Sequence, residues 1–265
     1  MKRRNSLNNF KFKDGTYKTV TRNVALLSRT LPSIVFYSRV LSIVYKSSVL
    51  AKRGEYDTEK WSDSSIRVTR MLEAVGVDIE ITGADNFIKL NEACLFVSNH
   101  MSTLETFVLP GIIAPFRDLT FVVKKSLVEY PIFRHVMRSR DPVTVGRANP
   151  RDDLKAVLEG GSERLKNGIS IVVFPQTTRA TVFDPEAFNT IGIKLAKRAN
   201  VPVIPVALKT DAWRNGRLIK DFGRIDTTRK VYFSFGAPIR IEGRGAEEHE
   251  RIIAFITGKL DEWNK

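Results

Sequence analysis

An α/β fold, a largely parallel sheet flanked by helices, is predicted by three features of this 265-residue chain. From residue 77 onward, short β-rich runs alternate with longer amphipathic stretches, the pattern of β–α–β units. Two of the runs, ACLFVS (93–98) and ISIVVF (169–174), are almost wholly apolar, as strands covered on both faces are. The composition, 43% hydrophobic and 27% charged, is that of a chain with a buried core rather than a disordered one.

Taken in order, residues 1–20 are basic and polar and read as a flexible arm. Helical patterns follow over 21–30 and 33–52, with Pro32 placed for a kink or a first helical turn. In the second, Arg39, Lys46 and Arg53 recur every seven residues and so share a face, while Ile34, Val35, Val40, Leu41, Val44, Tyr45 and Val49 cover much of the rest. A polar linker at about 54–63 leads to a helix over 64–75. Strands are expected at 77–82, 93–98, 119–123, 142–145, 169–174, 202–208 and 231–236. Helices are expected at 103–114, 126–138, 151–167, 187–199 and 246–263. The division that results is an arm (1–20), a two-helix motif with its linker (21–63) and an α/β domain (64–265).

Charge separates these parts. The net charge is +14, but residues 1–53 hold twelve Lys or Arg against one acidic residue, Asp14, which places +11 there and +3 in residues 54–265. A basic segment of this kind suits nucleic acid or an anionic membrane surface. It is too apolar for a DNA-binding arm, and Arg29, Arg39 and Lys46 interrupt any charge-free run of the ~20 residues that a clean membrane span uses. An amphipathic pair lying in the bilayer interface fits better, and a pair packed on the domain's own core is the plain alternative. A single cysteine, Cys94, rules out an internal disulfide framework and reads as a buried small hydrophobe. His100, His135 and His249 lack ligand-like spacing, so no metal site is expected.

Ligands of such sheets bind beyond the carboxyl ends of strands. Two segments that end strands carry chemical side chains, NHMSTLE (99–105) and FPQTTR (174–179). Ser102 and Glu105 have the spacing of a capping box, which accounts for Glu105 but not for His100. An imidazole with a carboxylate folding back from the first helical turn has the make-up of a general base and the group that orients it. There is no G-x-S-x-G elbow, so such a base would deprotonate a bound hydroxyl rather than an enzyme serine. Arg179 suits phosphate or carboxylate, Thr177 and Thr178 add hydroxyls, and Lys124, Lys125 and Arg147 follow other strands. Together on one rim they would make an anion pocket. No Walker-type loop is present.

These blocks, in this order, resemble the glycerolipid acyltransferases, typified by bacterial 1-acylglycerol-3-phosphate acyltransferase, over roughly residues 75–240. NHMSTLE resembles the family's NH-x4-D motif, VTVGR (143–147) its second block, VVFPQTTRA its FPEGTRS and VPVIPVAL its fourth block. The resemblance implies that His100 is the catalytic base and Glu105 its carboxylate partner. It places Lys125, Arg147, Gln176, Thr177, Thr178 and Arg179 at the acceptor, and Val203, Ile204 and Pro205 at the acyl region. It implies transfer from coenzyme A or acyl carrier protein to a lyso-glycerophospholipid, with no metal or tightly bound cofactor. Oxyanion donors are expected among backbone amides of the turns after 98 or 174. A two-helix motif in one leaflet is also implied, and the basic, interfacial N-terminal segment with no export signal points to the cytoplasmic leaflet as the expected location. Two departures bear on the acceptor. Glu105 replaces aspartate, and Gln176-Thr177 replaces Glu-Gly, so another lyso-phospholipid acceptor, or a non-catalytic lipid-binding role, stands as the alternative.

Overall fold

Residues 10–20, 22–131, 133–176, 178–217 and 219–265 are described by the computed structural model. In chain order its elements are β1 (Tyr17–Lys18), α1 (Leu26–Thr30), α2 (Pro32–Lys52), α3 (Thr58–Ala74), β2 (Ile79–Thr82), α4 (Asp85–Ile88), β3 (Leu95–Ser98) and α5 (Leu104–Ile113). There follow β4 (Leu119–Lys124), α6 (Lys125–Glu129), α7 (Arg134–Arg138), β5 (Val143–Val145), α8 (Pro150–Lys166) and β6 (Ser170–Val173). The last are α9 (Ile191–Ala199), β7 (Val203–Lys209), β8 (Val231–Phe235) and α10 (Ala246–Trp263).

One sheet holds the strands in the order β1-β2-β8-β7-β3-β6-β4-β5. The pairs β2–β8, β3–β7, β3–β6, β4–β6 and β4–β5 are parallel, and β1–β2 and β7–β8 are antiparallel. The carboxyl ends of β7, β3, β6, β4 and β5 therefore share one rim. Alternation along the strands divides the core between the two faces. Cys94 and Phe96 belong to one hydrophobic cluster, Leu95 and Val97 to the other. Burial pushes the Cys94 thiol up to about 11, as suits an unreactive core residue.

Pro205 sits in the middle of β7, where a missing N–H is costly unless it faces a gap. Val203 exchanges both backbone hydrogen bonds with Ile239, so Pro205, two residues on, faces the same side. There the partner chain is interrupted between the end of β8 and Ile239, and only the Pro205 carbonyl is used, accepting from the Gly236 N–H at 2.8 Å.

Three expectations change. Residues 10–20 are not a frayed arm: Phe10 and Tyr17 are buried, and Tyr17–Lys18 pairs with Glu80–Ile81. The buried Glu73 carboxylate fixes this segment by accepting from Tyr17 Oη at 2.5 Å, Thr19 Oγ1 at 2.7 Å and Arg70 Nη1 at 2.8 Å. Residues 1–9 lie outside the described part. The helix expected at 126–138 is two short ones, α6 and α7, because Pro131 holds Tyr130 in extended backbone (φ −65°, ψ 121°). The helix expected from 64 begins at 58, since the Asp57 side chain caps it by accepting from the Lys60 N–H at 2.8 Å.

α2 has two faces. Phe36, Val40, Ile43, Val44 and Ser47 are buried, the four apolar ones in the same cluster as β2 and β8. Leu26, Leu27, Leu31, Ile34, Leu41 and Tyr45 of α1 and α2 are large, apolar and exposed. The 21 residues of α2 are long and apolar enough to cross a membrane by length and composition. Phe36 is fully buried and its ring meets Trp213 edge-on at 5.0 Å. Phe36→Ala is expected to lower unfolding free energy by about 3–5 kcal/mol, measured by chemical denaturation. A helix serving only as an anchor would give a change near zero.

Candidate active site

The site grows from the end of β3. Asn99 is buried and extends the ladder to β7 with its side chain, donating to the Leu208 carbonyl at 2.8 Å and accepting the Leu208 N–H at 2.9 Å. That clamp ends the strand and releases the chain at His100. The His100 backbone is held against the β6 loop: its N–H donates to Gln176 Oε1 at 2.8 Å, and its carbonyl accepts from the Ala180 N–H at 2.9 Å. The imidazole lies on the Phe174 ring, with centroids 4.2 Å apart and planes 17° from parallel.

His100 Nδ1 meets Glu105 Oε1 at 2.8 Å. Glu105 accepts only, so the proton lies on Nδ1 and Nε2 carries the basic lone pair. The carboxylate is fully buried and densely partnered. Oε1 also accepts from the Met101 and Ser102 N–H groups at 2.7 and 2.9 Å, and Oε2 meets Ser102 Oγ at 3.0 Å and Thr210 Oγ1 at 2.7 Å. Burial pushes the Glu105 pKa up, but the bonds from His100, Thr210 and Ser102 outweigh it and hold the carboxyl below the ordinary glutamate range. Half of the expected box forms: Glu105 Oε1 takes the Ser102 N–H, but Ser102 Oγ accepts the Leu104 N–H at 3.1 Å rather than that of Glu105, and Thr103 is the residue that precedes the helix.

Thr210 was not legible in the sequence, being 105 residues from its partner. Its hydroxyl donates to the far oxygen of a carboxylate that is one methylene longer than aspartate. Thr210→Val is expected to lower turnover about tenfold by loosening Glu105, with little change in either substrate's KM, as steady-state kinetics would show.

Gln176, expected at the acceptor, is buried and engaged with the His100 backbone. An amide oxygen can accept that bond, though more weakly than a charged carboxylate, so glutamine in place of glutamate makes the contact without a charge. Arg179 follows on the same loop, one-fifth exposed, with Nη1 donating to Asp221 Oδ1 at 2.8 Å and also to Thr103 Oγ1. Thr178 is exposed, and Thr177 lies outside the described residues. Lys125 opens α6 after β4 and is exposed. Arg147 follows β5 in left-handed backbone (φ 61°), held there by Asp153, which accepts the Gly146 and Arg147 N–H groups at 2.7 and 2.9 Å.

The sheet order thus sets His100, Arg179, Lys125 and Arg147 along one rim, on β3, β6, β4 and β5 in turn. At ~4.8 Å per strand, Arg147 stands about 14 Å along the rim from His100, so Arg179 is the cation nearest the imidazole by strand position. Val203, Ile204 and Pro205 are not brought to this rim. They pair with Leu95, Phe96 and Val97 inside the sheet and are buried on all sides. In the turn after 98 the N–H groups of His100, Met101 and Ser102 are taken by Gln176 and Glu105. Among the described residues, no group of three or more His, Cys, Asp or Glu is placed to hold a metal ion.

A histidine whose Nδ1 is fixed by a buried carboxylate, beside a cationic rim, has the make-up of a general base next to an anion site. Comparison with known proteins narrows that reading. Residues 78–209 match the family model described as Acyltransferase. The chain is 29% identical over 212 residues to the 1-acyl-sn-glycerol-3-phosphate acyltransferase of Pseudomonas aeruginosa, covering 80% of this chain and 76% of that one. It is 25% identical over 157 residues to the enzyme of the same description from Saccharomyces cerevisiae, covering 58% of this chain and half of that one. The fold is shared with the 1-acyl-sn-glycerophosphate acyltransferase PlsC of Thermotoga maritima (TM-score 0.65, 22% identity, 89% of this chain and 96% of that one). The chain belongs to the glycerolipid acyltransferase family and is an acyltransferase.

Proposed function

We propose that this enzyme acylates 1-acylglycerol-3-phosphate to phosphatidic acid at a membrane surface. The observation that carries the reading is the His100–Glu105 pair, with Nδ1 held at 2.8 Å by a fully buried carboxylate. His100 Nε2 takes the proton of the acceptor hydroxyl as its oxygen attacks the carbonyl of an acyl thioester. Glu105 stays ionised and stabilises the imidazolium. The tetrahedral intermediate then expels the thiolate, which recovers the proton from Nε2, giving an ester and a free thiol. Backbone amides of the turn after 174 suit the oxyanion. Arg179, with Lys125 and Arg147 further along the rim, suits the acceptor's phosphate. The donor is acyl-coenzyme A or acyl carrier protein, and no metal or bound cofactor takes part in these steps.

Both substrates are amphiphiles, which gives the exposed apolar crest of α1 and α2 a purpose. Leu26, Leu27, Leu31, Ile34, Leu41 and Tyr45 enter the acyl boundary, and Arg39, Lys46 and Arg53 meet anionic headgroups, on the cytoplasmic face. Residues 21–63 then form the membrane-facing part and residues 64–265 the catalytic part.

The test is transfer in mixed micelles to a panel of lysophosphatidate, lysophosphatidylethanolamine, lysophosphatidylglycerol and lysophosphatidylcholine, with each thioester donor. Preference for lysophosphatidate is expected. Preference for another headgroup would replace the acceptor, and silence with every pair would leave a lipid-binding role in place of catalysis.

A further inference from the structure

The segment between β7 and β8 touches both the site and α2, and neither contact is visible in the sequence. Asp221 Oδ1 accepts from Arg179 Nη1 at 2.8 Å and from Thr103 Oγ1 at 3.0 Å, at the start of α5. A guanidinium has five donors in a fixed plane, and among the described residues these contacts use one nitrogen, with the Nε–Nη2 edge suited to a second, bidentate partner. The Asp221 backbone is itself fixed, since Trp213 Nε1 donates to its carbonyl at 3.1 Å. Trp213 in turn meets Phe36 of α2 edge-on at 5.0 Å. Two further ties join α2 to this segment: Tyr37 Oη donates to the Gly223 carbonyl, and the Ile225 N–H donates to Ser33 Oγ at 3.0 Å.

We propose that Asp221 is a positioning residue for the acceptor's phosphate, holding Arg179 so that its open edge faces that group, with α2 as part of the scaffold. This rests on the reading of Arg179 as a phosphate ligand. A carboxylate beside a phosphate site weakens the field there, so its benefit is geometric: it removes the rotamer freedom that a long side chain would otherwise lose on binding. By the same chain of contacts, α2 presents the apolar crest on one face and supports the acceptor site with the other.

The experiment is steady-state transfer to lysophosphatidate in mixed micelles by wild type, Asp221→Ala, Asp221→Asn, Thr103→Val and Tyr37→Phe. For Asp221→Ala the acceptor KM is expected to rise about tenfold or more, with kcat and the thioester KM within about twofold. Asp221→Asn keeps an acceptor atom for Arg179 and is expected to recover most of that loss. Thr103→Val and Tyr37→Phe act in the same direction with smaller factors, and they report even where the alanine variant folds poorly. An acceptor KM that is unchanged or lower in Asp221→Ala and Asp221→Asn overturns the proposal and makes Asp221 a competitor of the phosphate. A fall in kcat alone, shared by both substrates, overturns it as well. An inactive wild type would instead contradict the functional reading on which the proposal rests.

Discussion

His100→Ala is expected to lower kcat for acyl transfer by about 10²–10⁴-fold, the usual contribution of a general base. The side chain is mostly buried, 16% exposed with its ring resting on Phe174, but Glu105 keeps four other hydrogen-bond donors when the imidazole is lost. The variant should therefore fold, bind both substrates with KM values near those of wild type, and fail at the proton transfer. His100→Gln, which restores a polar group without a basic nitrogen, should be as slow. Recovery of more than about a tenth of wild-type kcat by either variant would show that another group takes the proton.

Glu105 is expected to give the larger combined effect, because chemistry and folding meet in it. Glu105→Ala takes the acceptor from four donors at once, His100 Nδ1, the Met101 and Ser102 N–H groups and Thr210 Oγ1, while Ser102 Oγ keeps the Thr210 carbonyl at 3.0 Å. A cost of about 3–5 kcal/mol in unfolding free energy is expected, together with loss of turnover. Glu105→Gln separates the two effects. It preserves volume and much of the network but removes the charge that steadies the imidazolium, so kcat should fall by about 10²-fold or more while most stability remains.

The pH dependence of folding follows from the same group. The Glu105 pKa is lower in the folded chain than the ordinary 4.5. The ionised form therefore stabilises the fold fully above the ordinary value, and that contribution is lost as pH falls from there through the folded value. Denaturation midpoints taken at descending pH should show this decline in wild type and a shallower one in Glu105→Gln. Equal slopes would mean that other carboxylates set the acid limit.

The seven longer strands were legible because apolar runs bounded by turns leave few alternatives, and the largely parallel sheet followed from the intervening helices; β7 and β8, joined without a helix, are antiparallel. β1 was not, because two residues in a basic, polar stretch pair only once Tyr17 and Thr19 find the Glu73 carboxylate, more than fifty residues away. The split at Pro131 was readable in principle, since a proline after Tyr130 sets extended backbone, but the surrounding helical pattern hid it.

At the site, His100 and Glu105 were legible because five residues span a strand end and a first helical turn. Their supports were not. Thr210 and Asp221 reach the site from segments more than a hundred residues on, and nothing local in DAWRNGRLIKD (211–221) marks Asp221 as a partner of Arg179. The reading of Val203, Ile204 and Pro205 as acyl-region residues came from resemblance. Their burial between β3 and the opposite strand makes them part of the frame on which the rim is built.

The most direct measurement of the central claim follows product and thiol together. Purified enzyme in mixed micelles would be given isotopically labelled acyl-coenzyme A and lysophosphatidate, with His100→Ala alongside, and labelled lipid quantified by mass spectrometry against free thiol. The expected result is labelled phosphatidic acid and thiol in equal amounts from wild type, and neither above background from the variant. Equal product from both, or thiol release without labelled lipid, would contradict the assignment of His100 as the base that moves an acyl group onto a lyso-phospholipid.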